Sequence, residues 1–311
     1  MPIKFHLPGL RNNFPLNMLT LKMFEAFPDY FRKDIQIASF FGEFPTCLWN
    51  GGRYSGDDQC DSGYVRHVIQ AINAAGIAVR YTFTNPSITK EDLADPYCNF
   101  CMEAGNNGKN EVLVVSPLLE NYSSYTINSS TCKEIRSVAA LNEELEKDYG
   151  LVVLDYNLNN CFDELLKITD KSRCEILVNS CCVPNCPRRA EHYRFIGTQE
   201  RAALTNRTLP AGKQKPVPTW SCGYGEQNSL SKYKKYKTHV SPDDIWDKYV
   251  PMGFENFKLE GRTANLFLLV DTYCYYFAKP EYHDEARLLF LANLEANKII
   301  AVNKPRKGVW P

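Results

Sequence analysis

The fold class is decided by three successive runs near the start of the chain, IQIASFFG (35–42), DSGYVRHVIQAINAAG (61–76) and IAVRYTFT (77–84). The outer two are short and rich in β-branched and aromatic residues, which is typical of buried strands. The middle run repeats its apolar residues at helical spacing, and Asp61 or Ser62 can cap it while Gly76 can end it. A helix between two such strands predicts parallel pairing through a right-handed crossover.

The same alternation continues along the chain. Further strands are predicted at 111–117, 125–131, 151–157, 175–180 and 254–261. Further helices are predicted at 89–104, 141–150, 161–169, 263–278 and 282–298. Seven strands are predicted in this way, and an eighth is expected between Lys215 and Cys222. This count predicts a TIM-like (β/α)8 parallel barrel, regular or distorted. An open doubly wound sheet is the alternative, but no G-x-G-x-x-G follows any of the strands.

The whole chain, residues 1–311, is interpreted as one barrel domain. Residues 1–33 are predicted to form an N-terminal cap, and 34–196 the first six β/α units. The stretch 197–240 is predicted to be an irregular insertion or lid, because long irregular segments in compact domains are usually functional or mobile. Residues 241–311 complete the last unit and the closing helices.

Composition excludes several classes of protein. The chain has 311 residues, of which 44% are hydrophobic, and its 36 Lys and Arg balance 36 Asp and Glu. A chain with no net charge has no overall positive potential that would attract nucleic acid. The Lys/Tyr tract LSKYKKYKTH (230–239) could bind single-stranded nucleic acid through charge and stacking, but it is interpreted as a solvated loop. The N-terminus has no long apolar run, and 266–270 is too short to cross a bilayer, so we expect a cytoplasmic protein without membrane insertion.

Twelve cysteines are many for a compartment that keeps thiols reduced, so metal binding or catalysis is expected of some of them. Cys161, Cys174 and Cys274 are interpreted as small buried apolar residues. Cys98 and Cys101 form a C-x2-C pair in a helical stretch and are interpreted as structural.

Other cysteines follow predicted strands, where the loops of a parallel barrel converge at one mouth. Cys181, Cys182 and Cys186 lie in VNSCCVPNCPRRAEHYRFIG (178–197), and two prolines stiffen the C-x3-C loop. Cys47 follows an earlier strand, and Cys222 lies in TWSCGYG. Four thiolates suit an iron-sulfur cluster or a zinc ion, so we predict a metal site, with buried core thiols as the alternative. Its predicted ligands are Cys47, Cys182, Cys186 and Cys222, with Cys181 as a substitute.

The segment 178–197, together with FKLEGR (257–262), resembles the collagenase-like peptidase family U-32. Members of that family carry a cysteine motif after a barrel strand and a later K-(I/L)-E-G-R, and the likeness spans about residues 35–265. Several branches resemble oxygen-independent or prephenate-dependent hydroxylases of RNA or quinone precursors that hold a 4Fe-4S cluster.

The resemblance implies that Cys182, Cys186 and Cys222 are cluster ligands. Cys47 fits one branch as the fourth ligand, and Cys181 is the local competitor. This chain lacks a further cysteine close after Cys222 and an accessory C-terminal domain, which argues against RNA as substrate.

Three other residues are predicted to be catalytic. Glu260 and Arg262 end the last predicted strand, so they should face the mouth, where a guanidinium can hold a carboxylate or phosphate. Their alternative role is a mutual salt bridge. His192 lies in the helix after the cysteine loop and can serve as a proton donor or support a ligand near neutral pH, or lie at the surface.

These observations support three hypotheses. The first is an iron-sulfur enzyme of hydroxylase or redox type with a polar or anionic substrate. The second is a peptidase or a zinc-stabilised barrel, although no H-E-x-x-H, G-x-S-x-G or Walker sequence supports a known hydrolytic mechanism. The third is a non-enzymatic partner subunit that keeps the barrel.

Overall fold

The barrel predicted from the sequence is confirmed by a computed structural model that describes residues 2–45, 47–51, 60–225 and 229–301. Eight parallel strands close in chain order, and the last pairs with the first. They are β1 (Ile3–Pro8), β2 (Ile35–Gly42), β3 (Ala78–Phe83), β4 (Glu111–Val114), β5 (Thr126–Ser129), β6 (Val152–Val153), β7 (Cys174–Leu177) and β8 (Asn256–Lys258).

The α-helices of the described residues alternate with these strands. They are α1 (Phe14–Ala26), α2 (Ser62–Ala74), α3 (Pro96–Ala104), α4 (Pro117–Glu120), α5 (Val138–Leu145), α6 (Phe162–Leu165), α7 (Arg189–Arg207), α8 (Pro242–Asp244), α9 (Leu266–Phe277) and α10 (His283–Ala296). The cap expected at α2 is present, because the Asp61 carboxylate accepts a hydrogen bond from the Tyr64 N–H at 2.8 Å. No helix among the residues that the structure describes is long and apolar enough to cross a membrane.

The predicted N-terminal cap over 1–33 is wrong, because its first residues are a barrel strand. β1 pairs with β2 on one side and with β8 on the other, and so closes the ring. The eighth strand expected between Lys215 and Cys222 does not exist, since 214–222 contains no strand. β1 was not predicted because a run of six residues that ends at Pro8 gives only a weak local signal for a strand. Its pairing with β8 joins opposite ends of the chain, which periodicity does not detect.

The predicted irregular segment 197–240 begins too early. Its first residues continue α7, which runs to Arg207. α7 has no continuous apolar stripe, and two of its four buried residues, Arg189 and Glu200, are charged. A helix that buries charge escapes detection by hydrophobic periodicity.

The barrel interior contains a layer of paired charges. The Glu175 carboxylate forms an ion pair with Lys258 Nζ at 3.0 Å and another with Arg80, which also contacts Glu111 at 2.7 Å. Burial opposes ionisation of Glu175, but the charges of Lys258 and Arg80 hold its pKa well below the usual range. Burial lowers the pKa of the nearby His6 to about 3, with Arg80 contributing, so its imidazole is neutral. This interior is balanced in charge and closed to solvent.

Candidate functional site

α7 lies across the mouth of the barrel. Near its start, Arg189 pairs with Asp155, which follows β6. Farther along, Arg201 donates to the Asp92 carboxylate at 2.8 Å, in the connection after β3. These two connections come from different sides of the ring, so α7 spans the carboxyl ends of the strands, where active sites of parallel barrels lie.

Gly197 allows α7 to approach the mouth closely. A Cβ atom at this position would lie 2.1 Å from Oδ1 of Asn85, just after β3. The Asn85 side chain is itself fixed, because its Nδ2 donates to the Leu48 carbonyl at 2.8 Å. Only glycine therefore permits this packing without displacement of the helix or of the loop.

A group of polar residues lies under this helix. Arg262 pairs with the Glu43 carboxylate and donates to Thr82 Oγ1 at 2.7 Å, and the Thr82 hydroxyl donates to Glu43. Glu43 is 1% exposed, and Glu200 of α7 is 9% exposed. We call Glu43, Thr82, Glu200 and Arg262 the mouth cluster.

Glu200 of the mouth cluster differs in charge state from the interior glutamate, Glu175. Burial raises the pKa of Glu200 to about 7, the neighbouring charge of Glu43 adds to the rise, and Arg207 opposes it. Near neutral pH this carboxyl is therefore divided between its protonated and ionised forms. Such a group is suited to general acid–base catalysis, for which the best pKa lies near the working pH.

Glu260, predicted to be catalytic beside Arg262, links the end of β8 to the cysteine loop. Its Oε2 accepts from the Cys181 N–H at 2.8 Å, and its own N–H donates to Asn179 Oδ1 at 2.6 Å. Arg262 turns towards Glu43, and the alternative pairing between Glu260 and Arg262 is not among the ion pairs of the described residues.

Three of the predicted ligands come together around one small pocket at the start of α7. Cys182, Cys186 and Cys222 line it, and the other lining residues are Arg188, His192, Trp220, Gly223 and Tyr224. We call these three cysteines the pocket thiols. Burial raises the pKa of Cys182 to about 11.

Trp220 holds the two cysteine-bearing segments together. The His192 ring lies parallel to it with centroids 4.9 Å apart, and the Arg188 guanidinium carbon is 4.2 Å from its ring centroid. Arg188 also donates to the Ser221 carbonyl at 2.9 Å. His192 thus lies beside the pocket thiols, and Cys222 is brought to the loop of Cys182 by an aromatic and cationic stack.

The fourth predicted ligand and its substitute lie elsewhere. Cys47 Sγ is 3.4 Å from the sulfur of Cys98 in α3, so the C-x2-C pair that we interpreted as structural contacts one of the predicted ligands. Cys181 directs its sulfur to the Asn179 carbonyl at 3.8 Å. β2 and β7, which precede Cys47 and Cys182, are separated by β8 and β1 in the ring.

The pocket thiols are chemically suited to a soft metal. Thiolates are the ligands of iron-sulfur clusters and of structural zinc. Among the described residues, however, no group of three or more His, Cys, Asp or Glu side chains is already placed to hold a metal ion. Both segments are loops, 181–188 and 214–222, so closing around a metal requires loop movement and not a change of the barrel.

Sequence reasoning missed most of the mouth cluster. Glu43 had a usable signal, because it directly follows the strand IQIASFFG and strand ends line the mouth. Glu200 had none, because its position depends on the path of α7. Thr82 lies within a strand whose inward face could not be assigned from a short apolar run.

No protein-family model matches the chain, and no curated protein matches it. Among solved structures, the U32 peptidase Mk0906 is similar, with a TM-score of 0.47 and 11% sequence identity over 85% of this chain and 95% of that one.

Proposed function

We propose that this chain is an enzyme that acts on a polar or anionic substrate at the barrel mouth and holds a 4Fe-4S cluster through Cys182, Cys186 and Cys222. The observation that supports the proposal is the convergence of these thiols, from two separate loops, on one pocket at the start of the helix that crosses the mouth. The motif resemblance of 178–197 and 257–262 points in the same direction. When bound, such a cluster supplies one-electron redox chemistry.

In this proposal the mouth cluster binds the substrate. Arg262 is the positively charged residue of the mouth cluster, and its planar guanidinium is suited to binding a carboxylate or a phosphate. In the free protein it pairs with Glu43, which keeps the buried charge balanced. An anionic substrate would take over this pairing, and the released Glu43 would favour the protonated form of Glu200 still more.

Glu200 then serves as proton donor or acceptor, since its pKa of about 7 allows both forms. α7 excludes water from the group, which strengthens the electrostatic interactions there. Glu260 is a positioning residue, because it acts on the pocket through the Cys181 amide.

The fourth cluster ligand falls to a residue near the pocket. The sequence favoured Cys47, but its sulfur lies beside Cys98. His192 lines the pocket, and Cys181 is adjacent in sequence to Cys182. Either can complete a site made of three thiolates.

Anaerobic purification tests the cluster, with three proteins compared: the parent, Cys222→Ser and Cys274→Ser. Cys274 is a buried cysteine of α9, far along the chain from the pocket, and so is a matched control. We expect iron, acid-labile sulfide and a brown colour in the parent and in the control, and their loss in Cys222→Ser. A colourless parent that takes up no iron on anaerobic reconstitution would refute the cluster, and zinc without sulfide, lost in Cys222→Ser, would replace it with a zinc-stabilised barrel.

A second candidate, a metal-independent acid–base enzyme such as a peptidase, is favoured by one specific observation. The buried carboxyls of Glu200 and Glu43 lie close enough for the charge of one to raise the pKa of the other. Such an enzyme would lose about 10²–10⁴-fold activity in Glu200→Gln and keep it in Cys222→Ser. Hydrolysis of a peptide library by the parent and by both variants separates the two candidates.

A further inference from the structure

A second group of cysteines lies outside the mouth cluster and the pocket. Cys47, in the turn after β2, has its sulfur 3.4 Å from that of Cys98, and its thiol also hydrogen bonds with Cys101. Cys98 and Cys101 are three residues apart in α3, so they share one face of that helix. All three side chains are at most 1% exposed. We call them the buried thiols.

Burial raises the pKa of Cys47 and of Cys98, so both are neutral thiols in the free protein and a bound metal ion must displace their protons. The Trp49 N–H, which hydrogen bonds to both sulfurs, only partly opposes this rise. The turn that presents this amide is closed by the Asn50 N–H, which donates to the Cys47 carbonyl at 3.1 Å. Cys98 lies in the first turn of α3, and its N–H donates at 2.7 Å to the Asp95 carboxylate that caps this helix.

A fourth cysteine lies at the edge of the same group. Cys60 is half-buried, and its carbonyl lies 3.5 Å from the Tyr97 hydroxyl, which also hydrogen bonds with the thiol of Cys101. Tyr97 therefore links Cys60 to the buried thiols. Cys60 directly precedes the Asp61 cap of α2, so a shift of this residue leaves the barrel unchanged.

The separation of the sulfurs fits a shared cation. Because Zn–S bonds are about 2.3 Å long, neighbouring thiolates around a tetrahedral zinc are about 3.8 Å apart. The 3.4 Å between Cys47 and Cys98 is close to that value and much longer than the S–S bond of a disulfide, about 2.05 Å. Four cysteines from three segments are also the usual composition of a closed structural zinc site.

We propose that Cys47, Cys98 and Cys101, completed by Cys60, form a closed tetrahedral thiolate site for zinc. Zinc binding draws Cys60 and Cys101 inward, since the group is not yet in coordination geometry. The site fastens the connection after β2 to α3, and with it Glu43 of the mouth cluster. It is a structural site, separate from the pocket thiols and independent of the function proposed for them.

The test uses the full-length chain with Cys182→Ser and Cys222→Ser, so that the pocket thiols do not contribute. After reduction and removal of metal by a chelator, the protein is titrated anaerobically with Co²⁺. We expect about one equivalent to bind with the intense visible bands of tetrahedral thiolate cobalt, and zinc to displace it. Cys98→Ser in the same background should abolish the bands, whereas Cys174→Ser, at a buried cysteine of β7, should keep them.

A second variant keeps the test decisive if Cys98→Ser does not fold. Cys60→Ser replaces the half-buried member, and it should fold as judged by circular dichroism yet weaken Co²⁺ binding more than about tenfold. The proposal is overturned if the parent background binds no Co²⁺, if Cys98→Ser and Cys174→Ser bind it equally, or if mass spectrometry of anaerobically prepared protein finds a Cys47–Cys98 disulfide. Failure of the proposed function is seen separately, as missing iron in the unmodified protein.

Discussion

Two buried glutamates show how the interior of the barrel differs from its mouth. Glu175, inside, faces Lys258 and Arg80, and their charges keep its pKa well below the usual range despite burial. Glu200, at the mouth, is buried beside the carboxylate of Glu43, and its pKa rises to about 7. The same side chain is thus ionised in one region and divided between its protonated and ionised forms in the other.

This contrast distinguishes a buried carboxylate that stabilises the fold from a buried carboxyl that is suited to acid–base chemistry. A balanced set of buried charges is kept because removing one partner leaves the others uncompensated. A carboxyl with a pKa near neutrality weakens the fold at working pH, and such perturbed groups cluster at functional sites. The cysteines differ in a similar way, with three thiols around a loop pocket and three sealed between β2 and α3.

The largest expected effect is on stability, and it comes from the paired charges of the barrel interior. Glu175→Gln removes the anion shared by Lys258 and Arg80, and should lower the free energy of unfolding by about 3–5 kcal/mol. Urea denaturation at neutral pH measures it. Glu164→Gln, which breaks only an exposed pair with Lys167, should cost at most about 0.5 kcal/mol. Equal losses in the two variants would contradict the charge-balanced interior.

Glu200, at the barrel mouth, should make the free energy of unfolding depend on pH in the opposite sense to Glu175. Because the folded pKa of Glu200 is raised from 4.5 to about 7, the folded state holds more protons than the unfolded state in that window, and stability falls as pH rises through it. At 1.36 kcal/mol per pKa unit, the full fall is about 3 kcal/mol.

The measurement compares the free energy of unfolding of the parent and of Glu200→Gln between about pH 4 and pH 8. The difference should favour the variant increasingly as pH rises, and level off above about pH 7. Glu175 acts at lower pH with the reverse sign, since its lowered pKa gives stability that is present above about pH 4.5 and lost on acidification. A constant difference between parent and variant would show that Glu200 titrates normally.

A smaller effect is expected from the contact that holds α7 on the mouth. Gly197→Ala places a Cβ against Oδ1 of Asn85, so the helix or the loop must move, at about 1–3 kcal/mol. Gly212→Ala is the matched control, since a Cβ there meets nothing within 4 Å. Thermal unfolding of both variants measures the difference, and an unchanged midpoint for Gly197→Ala would mean that α7 does not pack closely on the mouth.

The smallest effect is a shift in titration. Glu43→Gln removes the charge that adds to the effect of burial on Glu200, so the pKa of Glu200 should fall below about 7 while burial keeps it above its usual value. Carboxyl carbon NMR of labelled protein follows this titration. An unchanged value would assign the whole rise to burial, and the two carboxyls would not act as a pair.

The fold was largely predictable, because its signals are local. Alternating apolar runs and helical spacing gave seven of the barrel strands, and the Asp61 cap of α2 formed as expected. β1 was missed because its support comes from β2 and from β8 at the other end of the chain. α7 was cut short because it buries charged residues.

The sequence by itself determined the parallel barrel and the close spacing of Cys182 and Cys186, since both follow from residues near one another in the chain. Only the tertiary structure decided which distant residues meet: Cys47 contacts Cys98, because the strands that precede them are neighbours, and Arg262 pairs with Glu43. The ring order of the strands and the path of α7 fix these partners. Both result from closure of the whole barrel, which no local stretch of sequence encodes.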